Sequence, residues 1–315
     1  MAGNTMVLKH ASNVPQCAQI MEDLFREAGL PDGVYQNLFI PGHDIDKLVA
    51  NPLIRGVSLT GSEPAGASIA SEAGKYVKKS ILELGGSDPF IIMEDADIEK
   101  AVETAVYGRM WNAGQVCISP KRIIVPESKY QSILDKMKTL LAKLKLGDPM
   151  DPQTDIAPLS SEEAAQEVIR QIKRAIRQGA KLEFGGGRPD LEGAFVNPVI
   201  LTHVEPGMDA YSDEIFGPVL VVYAYKNIDD AIQLANATNF GLGGTVFGTD
   251  LQRAKAVARE IDTGMVYINH VTGIAPELPF GGTKNSGIGR EQSPAGIYEF
   301  VNPKLIRVTS PENPY

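Results

Sequence analysis

The chain contains 315 residues, of which 43% are hydrophobic and 22% charged, so it is long enough for two packed domains of an ordinary globular protein. Its 30 basic and 39 acidic residues give a net charge of −9, which argues against nucleic acid or an anionic membrane as a main partner. It has only two cysteines, too few for a disulfide framework, and no apolar run approaches the roughly 18 residues of a membrane span; both points favour a reducing, cytoplasmic compartment.

Short strand and helix patterns alternate over residues 4–84. Hydrophobic periodicity and glycine turns predict strands at 4–9, 33–40, 56–61 and 78–86, and helices at 15–29, 44–50 and 62–74. This alternation is typical of a doubly wound, mostly parallel sheet that binds nucleotides, so the sequence predicts an α/β fold. Cys17 lies on the amphipathic helix at 15–29, and we expect it to pack there.

The alternation continues more loosely beyond residue 84. Longer helices are predicted at 97–110, 128–145 and 161–178, and a strand at 218–225. The last apolar run, "PKLIRV" at 303–308, is a lone strand candidate. An unpaired strand needs a partner, so this run is expected to pair with another sheet edge.

The stretch "LTGSEPAG" at 59–66 ends a predicted strand and opens a helix. Gly61 and Ser62 would point backbone N–H groups at a ligand, and a phosphate could bind there on the helix dipole. Ser62 could equally be an ordinary helix N-cap. Alone, the stretch is a weak indication of a phosphate site.

Glu83 is a candidate base in the stretch "LELGGSDPF" at 82–90. It leaves an apolar strand just before two glycines, where desolvation would raise its pKa toward that of a useful base. The alternative is an exposed glutamate at the end of a strand.

Cys117 is a candidate nucleophile at the end of the stretch "NAGQVC". Gly114 allows a sharp turn just before it. The positive charges of Lys121 and Arg122, just downstream, favour a thiolate. The alternative is a core cysteine, since cysteine is among the most buried residue types.

Two further stretches, "EIFGPVL" at 214–220 and "PFGGTKNSGIGRE" at 279–291, do not have the composition of a buried core. Each alone could be an ordinary loop with turn-forming glycine or proline. Together with "LTGS", "LELGGSDP", "NAGQVC", "NFGLGG" and "YIN" they resemble the aldehyde dehydrogenase superfamily over essentially the whole chain. The spacings between Glu83, Cys117 and Glu214 look like the family's. "KHASNVPQCA" and "LTGSEPAG" are similar to its succinate-semialdehyde dehydrogenase subgroup.

The resemblance implies an aldehyde dehydrogenase-like α/β fold. Residues 1–84 would form an incomplete Rossmann-type cofactor domain and residues 85–285 an α/β catalytic domain. Residues 286–315 would form a C-terminal segment with an oligomerisation strand. The chain would then be a homo-oligomer, either a dimer or a tetramer.

The resemblance also implies a role for each matching residue. Cys117 would be the nucleophile and Glu83 the base that activates the deacylating water. The other matches form a cofactor set and a substrate set: Lys9, Ser12, Gly61, Ser62, Leu84, Glu214 and Phe216 for the cofactor, and Arg109, Trp111, Asn269 and Phe280 for a small-molecule aldehyde. The thiolate would add to the aldehyde, the thiohemiacetal would give hydride to a nicotinamide, and water would hydrolyse the thioester. No metal is implied.

The cofactor would be NADP or NAD, and one position favours NADP. Many family members carry a glutamate three residues after the lysine, whereas Ser12 stands there in this chain. Loss of the carboxylate removes repulsion toward a 2′-phosphate, and a hydroxyl can hydrogen-bond that phosphate.

The subgroup favours succinate semialdehyde as substrate, and its distal carboxylate requires a cation. Well-known members use an arginine six residues before the cysteine, but Trp111 stands there. Arg109 and Arg122 remain as candidate cations. Trp111 could instead line an apolar pocket for another aldehyde.

Family chains extend well upstream of the strand at 4–9. We therefore expect a fragment, or a gene with a misassigned start site, whose product has little or no dehydrogenase activity and is either marginally folded or self-associating. Two rival hypotheses stay open. One is a non-catalytic fragment that pairs with full-length subunits through residues 303–308, and the other is a cofactor-independent thioester hydrolase that uses Cys117 and Glu83.

Overall fold

The computed structural model describes residues 2–309 and Glu312. The strands, in chain order, are β1 (Met6–Leu8), β2 (Tyr35–Asn37), β3 (Gly56–Thr60), β4 (Lys79–Glu83), β5 (Asp88–Ile92), β6 (Pro120–Pro126), β7 (Lys181–Gly185), β8 (Val199–Thr202), β9 (Val219–Tyr225), β10 (Phe240–Gly241), β11 (Thr245–Phe247), β12 (Tyr267–Ile268), β13 (Thr283–Lys284) and β14 (Gly287–Ile288). The α-helices are α1 (Pro15–Glu27), α2 (Ile45–Ala50), α3 (Glu63–Lys75), α4 (Ile98–Met110), α5 (Tyr130–Leu141), α6 (Glu162–Gln178), α7 (Asp209–Ser212), α8 (Ile228–Asn236), α9 (Leu251–Arg259) and α10 (Ser293–Tyr298).

A seven-stranded sheet forms the core, in the order β12-β11-β5-β6-β9-β8-β7. Its neighbouring strands are parallel except for β7 and β8. Every residue of β5 and β6 is buried, as expected for strands covered on both faces of a parallel sheet. Helices α4 and α5 pack together against β6, and α8 lies against β5, β6 and β9. The predicted α/β architecture is confirmed.

The longer elements agree with the sequence predictions to within a few residues. Helices α4 and α6 and strand β9 lie where periodicity predicts them. Helix α5 ends at Leu141, four residues before the predicted end at 145. Its burial of Ile133, Leu134, Met137 and Leu141 follows helical spacing, which is why the pattern was visible in the sequence.

The first region differs from the predicted single sheet. Strand β1 pairs in parallel only with β2, whereas β3 pairs in parallel with β4. Strand β14 adds to β4 in antiparallel orientation, so the segment that follows residue 285 contributes to the sheet of the first region. Local periodicity indicates strands but not their pairing, and this explains the error. The domain boundaries at 84 and 285 stay predictions.

The prediction that Cys17 packs within its helix is wrong for this chain. Cys17 is exposed, because α1 buries only Ala18 completely and leaves much of its apolar side uncovered. Residues 303–308 form no strand. They join no ladder within the described chain, and Leu305, Ile306 and Val308 are exposed, so their pairing with the sheet edge of another chain stays a prediction.

The described residues offer neither a membrane-spanning helix nor a cluster of metal ligands. In residues 2–309 and at Glu312, no helix is long and apolar enough to cross a membrane. The same residues contain no group of three or more histidine, cysteine, aspartate or glutamate side chains able to hold a metal ion.

Candidate active site

Arg109, at the end of α4, holds the start of the site together. Its guanidinium donates to the carbonyl oxygens of Val219 at 2.7 Å, Gly114 at 2.9 Å and Ile215 at 2.6 Å, and to the Ser119 hydroxyl at 2.6 Å. The side chain is completely buried. The prediction that Arg109 binds substrate is therefore wrong, because its donors already serve the loops around Cys117.

The turn that leads to Cys117 has an unusual backbone. Asn112, Ala113 and Gly114 all have positive φ, at 51°, 54° and 76°. This left-handed conformation is costly for residues with a Cβ. At Gly114 an added Cβ would lie 2.2 Å from the Gly217 carbonyl oxygen. Glycine at this position therefore lets the turn pack closely against the loop that follows Glu214.

The Cys117 thiol is half-buried at the end of this turn. It packs against a small apolar cluster formed by Ile118, Leu242, Met265 and Phe280. Phe280 belongs to the cluster against which the predicted nucleophile packs, and its place at the substrate end stays a prediction. The cysteine is neither fully buried nor remote from other candidate residues.

Burial raises the pKa of the Cys117 thiol to about 11. The positive charge of Lys121 opposes this rise, whereas the charges of Asp88 and Glu214 add to it. The Ile118 N–H also lowers the pKa of the thiol by hydrogen bonding. Of the charged groups around the thiol, Lys121 is thus the one that favours the thiolate.

Glu83, at the end of β4, is buried and has no hydrogen-bond partner for either carboxylate oxygen among the described residues. The pKa of Glu83 is raised to about 8, mainly by desolvation and also by the nearby charge of Glu291, while Arg290 opposes the rise. A carboxyl with a pKa in this range is suited to general base catalysis near neutral pH.

The segment around Phe280 and Gly281 links the two candidate catalytic residues. Phe280 belongs to the cluster against which Cys117 packs. A Cβ placed on Gly281 would lie 2.9 Å from a carboxylate oxygen of Glu83. One short segment therefore borders both the thiol and the unpartnered carboxyl.

Glu214 lies across the turn from Cys117. Its carboxylate accepts a hydrogen bond from the Gly86 N–H at 3.3 Å and forms an ion pair with Lys121 at 3.0 Å. A Cβ on Gly85 would lie 2.3 Å from the other oxygen of this carboxylate. The two glycines after Leu84 thus allow the carboxylate to approach the backbone.

The start of α3 fits a pyrophosphate group. Ser62 occupies the N-cap position, but its side chain makes no capping hydrogen bond, so the hydroxyl is available to a ligand. The space at Gly61 is open, since an added Cβ would meet no atom closer than 3.8 Å. Leu84 is buried and fills the place where Gly66 of α3 lacks a side chain, which holds α3 against β4.

The other predicted cofactor residues lie at the surface. Lys9 is half-buried and Ser12 exposed, both just after β1. Phe216 is 43% exposed. The structure records no contact between these side chains and Glu214 or Ser62, so their shared role stays a prediction.

The predicted substrate residues Trp111 and Asn269 differ in the exposure and the hydrogen bonding of their side chains. Trp111 is 55% exposed and directly follows α4. The Asn269 side-chain amide accepts from the Gly248 N–H at 2.8 Å and donates to the Gly248 carbonyl at 2.9 Å. The substrate role of Asn269 is corrected accordingly: its amide fixes the backbone after β11.

Two polar residues near the site were not predicted to act there. Asp88, at the start of β5, accepts a hydrogen bond from the Gly243 N–H at 3.1 Å, while its second oxygen is buried without a partner. Desolvation raises the pKa of Asp88 to about 6. Arg290 donates to the carbonyl oxygens of Gly282 and Gly289. The sequence feature that could have identified Asp88 is an aspartate at the first position of an otherwise apolar strand.

The chain matches the aldehyde dehydrogenase family over residues 1–306 and belongs to that family. The succinate-semialdehyde dehydrogenase [NADP(+)] of Deinococcus radiodurans is 50% identical over 307 residues, which cover 98% of this chain and 64% of that protein. Succinate-semialdehyde dehydrogenase [NADP(+)] 1 of Mycobacterium tuberculosis is 46% identical over 306 residues, which cover 97% of this chain and 67% of that protein.

A solved structure extends the comparison to three dimensions. The crystal structure of succinic semialdehyde dehydrogenase from Streptococcus pyogenes, in complex with NADP+, superposes with a TM-score of 0.96 at 47% identity. The match covers 98% of this chain and 68% of that one. The chain thus spans about two thirds of the length of the relatives that it matches.

Proposed function

We propose that the site around Cys117 and Glu83 oxidises an aldehyde to the acid, with NADP as the preferred hydride acceptor and succinate semialdehyde as the preferred substrate. One observation carries the proposal: the half-buried thiol packs against an apolar cluster that contains Phe280, and the next residue, Gly281, borders a buried, unpartnered carboxyl. The free thiol that this reaction needs suits a reducing, cytoplasmic compartment.

Each catalytic residue has a distinct task in this proposal. The Cys117 thiolate bonds to the aldehyde carbon, and after oxidation Cys117 carries the acyl group as a thioester. Glu83 takes a proton from the water that hydrolyses this thioester. Ser62 and Glu214 would hold the dinucleotide, which when bound supplies the hydride acceptor.

Two assays test the catalytic assignment. NADPH formation is measured with succinate semialdehyde, and hydrolysis of p-nitrophenyl acetate is measured without nucleotide. Cys117→Ala should abolish both activities, and Glu83→Gln should slow turnover by about 10²- to 10⁴-fold. Cys17→Ser removes the other thiol and should change neither. Aldehyde oxidation that survives in Cys117→Ala would refute the proposal. Ester hydrolysis without NADPH formation would fit either a cofactor-independent hydrolase or the fragment with little dehydrogenase activity that the sequence predicts.

The proposed preference for NADP is supported by the residue at position 12 and by the printed names of the relatives. Ser12 presents no charge to a 2′-phosphate. Ser12→Glu should lower kcat/KM with NADP by roughly tenfold or more and affect NAD much less, because the new carboxylate repels the phosphate. Equal kcat/KM values for both nucleotides in the unsubstituted protein would contradict the proposal.

An uncharged aldehyde is the second candidate substrate. The complete burial of Arg109 and its four hydrogen bonds to backbone carbonyls and a hydroxyl favour it, since they hold this cation away from a distal carboxylate. Arg122 is likewise committed, to the carbonyl oxygens of Ser87, Leu234 and Ala235. Competition between succinate semialdehyde and an aliphatic aldehyde of similar length separates the two candidates by their kcat/KM ratio.

A further inference from the structure

Lys121 is a buried cation beside the site, and each of its N–H groups can be assigned. The ammonium lies 3.0 Å from the Val116 carbonyl oxygen, 2.8 Å from the Cys117 carbonyl oxygen and 3.0 Å from a carboxylate oxygen of Glu214. An ammonium has three donors, and here three acceptors surround it. Such full satisfaction is what a buried charge requires. Arg122, the next residue, serves other loops.

These contacts fix the direction of the backbone N–H groups at the nucleophile. No cis peptide bond occurs in the described chain, and in a planar trans peptide the N–H points opposite to the C=O. Because Lys121, together with the N–H and the hydroxyl of Ser119, holds the carbonyl of Val116, the N–H of Cys117 points the other way. Because it also holds the carbonyl of Cys117, the N–H of Ile118 is directed away from the ammonium and bonds the thiol.

We propose that Lys121 is a positioning residue that clamps the Cys117 turn to the Glu214 carboxylate, aims the Cys117 and Ile118 N–H groups, and supplies the positive charge that supports the thiolate. Asp88 and Glu214 are the acidic groups that act on the thiol from the neighbouring elements. The Lys121 ammonium lowers the pKa of the Cys117 thiol, whereas the Glu214 carboxylate raises it. The two groups form an ion pair, so each partly neutralises the charge of the other. The role as a clamp between nucleophile and cofactor carboxylate rests on the function proposed above.

Alkylation of Cys117 by iodoacetamide tests the charge effect without any turnover. Cys17→Ser serves as the background, so that Cys117 is the only thiol. At about pH 9, Lys121→Met should be alkylated about three- to tenfold more slowly, because the thiolate fraction falls tenfold for each unit of pKa. Glu214→Gln should be alkylated faster by a similar factor. Lys129→Met, which removes a lysine bound to the Glu94 carbonyl elsewhere, is the matched control and should react at the parental rate.

The direction in which the alkylation rate changes separates a positioning role of Lys121 from a purely structural one. If Lys121 only stabilised the fold, Lys121→Met would loosen the turn and expose the thiol, so faster or unchanged alkylation overturns the proposal. Lys121→Arg keeps the charge and should recover at least part of the parental rate. Should Lys121→Met fail to fold, the Glu214→Gln arm decides alone, and unchanged or slower alkylation there refutes the proposal.

A kinetic readout tests the backbone effect. Lys121→Met should lower kcat for ester hydrolysis by about tenfold or more, with little change in KM, because the N–H of Cys117 acts on charge that develops only in the transition state. A rise in KM at constant kcat would contradict this part. If Cys117→Ala leaves ester hydrolysis intact, the proposed function fails, whereas the alkylation rates still report on Lys121.

Discussion

At Glu83, catalysis and stability make opposite demands on one carboxyl. The side chain is buried without a hydrogen-bond partner among the described residues, an arrangement that costs free energy in the folded state. The same burial raises the pKa of Glu83 to about 8, which suits a base that must gain and lose a proton near neutrality. Buried carboxyls of this kind are typical of functional sites rather than of structural cores.

Glu83→Gln should therefore stabilise the protein more as the pH rises. The unfolded carboxyl ionises near its ordinary pKa of 4.5 and the folded one near about 8, so the folded state binds the extra proton in this window. Stability of the unsubstituted protein falls across the window and levels off above it, by up to a few kcal/mol. The amide of Gln does not titrate, so the difference between the urea midpoints should widen between about pH 5 and about pH 9.

The control for this experiment is Glu103→Gln on the exposed side of α4. Its urea midpoint should follow that of the unsubstituted protein at every pH, since this side chain is exposed and its substitution leaves the surroundings of Glu83 unchanged. Parallel pH dependences for Glu83→Gln and the unsubstituted protein would show that Glu83 is not desolvated.

Single residues also mark the limit of what the sequence predicts. The motifs identified Cys117 and Glu83, and the structure brings one segment beside both. The sequence did not reveal that Arg109 is occupied, because two of its acceptors, Ile215 and Val219, lie on a distant part of the chain. A side chain's chemistry can be inferred from its type, but its availability depends on long-range contacts.

At the scale of elements, the turn between α4 and β6 determines where the thiol stands. Its consecutive left-handed residues store backbone strain of order 1–3 kcal/mol each at the non-glycine positions. Arg109 and the close contact of Gly114 with Gly217 hold this turn in place. The sequence predicted a sharp turn at Gly114, but the contact that requires glycine involves a segment about a hundred residues away and could not be predicted.

Gly114→Ala should destabilise the protein and reduce activity. The new Cβ would lie 2.2 Å from the Gly217 oxygen and 2.8 Å from the Pro218 nitrogen, and backbone atoms cannot move aside as a side-chain end can. We expect a loss of about 2–4 kcal/mol in the free energy of unfolding, read from the urea midpoint. Ester hydrolysis should fall as well, since the turn carries Cys117.

Gly74→Ala in α3 is the matched control for that substitution. No atom lies within 4 Å of its Cβ position, and alanine favours a helix over glycine. The free energy of unfolding, read from the urea midpoint, should stay the same or rise by up to about 1 kcal/mol. Equal destabilisation by both alanines would mean that the turn is not under the constraint described.

At the scale of the whole molecule, strand pairing is the feature that the sequence predicted least well. Of the strands of the seven-stranded sheet the sequence predicted only β9, whose continuous apolar run is typical of a strand covered on both faces. It did not separate β1 and β2 from β3 and β4, since a strand's partner is not encoded in its own pattern. The partner of residues 303–308 is even harder to predict, because no strand of the described chain pairs with them.

Residues 303–308 lead to a prediction about assembly. Leu305, Ile306 and Val308 are 87%, 79% and 93% exposed, and an extended apolar segment with free backbone groups can add to the sheet edge of a second copy. We expect the protein to be a dimer or larger by light scattering after size-exclusion chromatography. Leu305→Asp with Ile306→Asp should lower the measured mass toward that of one chain, because desolvating two carboxylates in a strand interface is unfavourable.

The comparison variant for assembly is Met150→Asp, which places a charge at an apolar side chain that is 86% exposed in another part of the chain. It should leave the mass unchanged, which separates loss of a specific contact from a general effect of added charge. A single-chain mass for the unsubstituted protein, or one mass for all three proteins, would contradict pairing through residues 303–308. A fall in mass in both variants would instead indicate nonspecific association of exposed apolar groups.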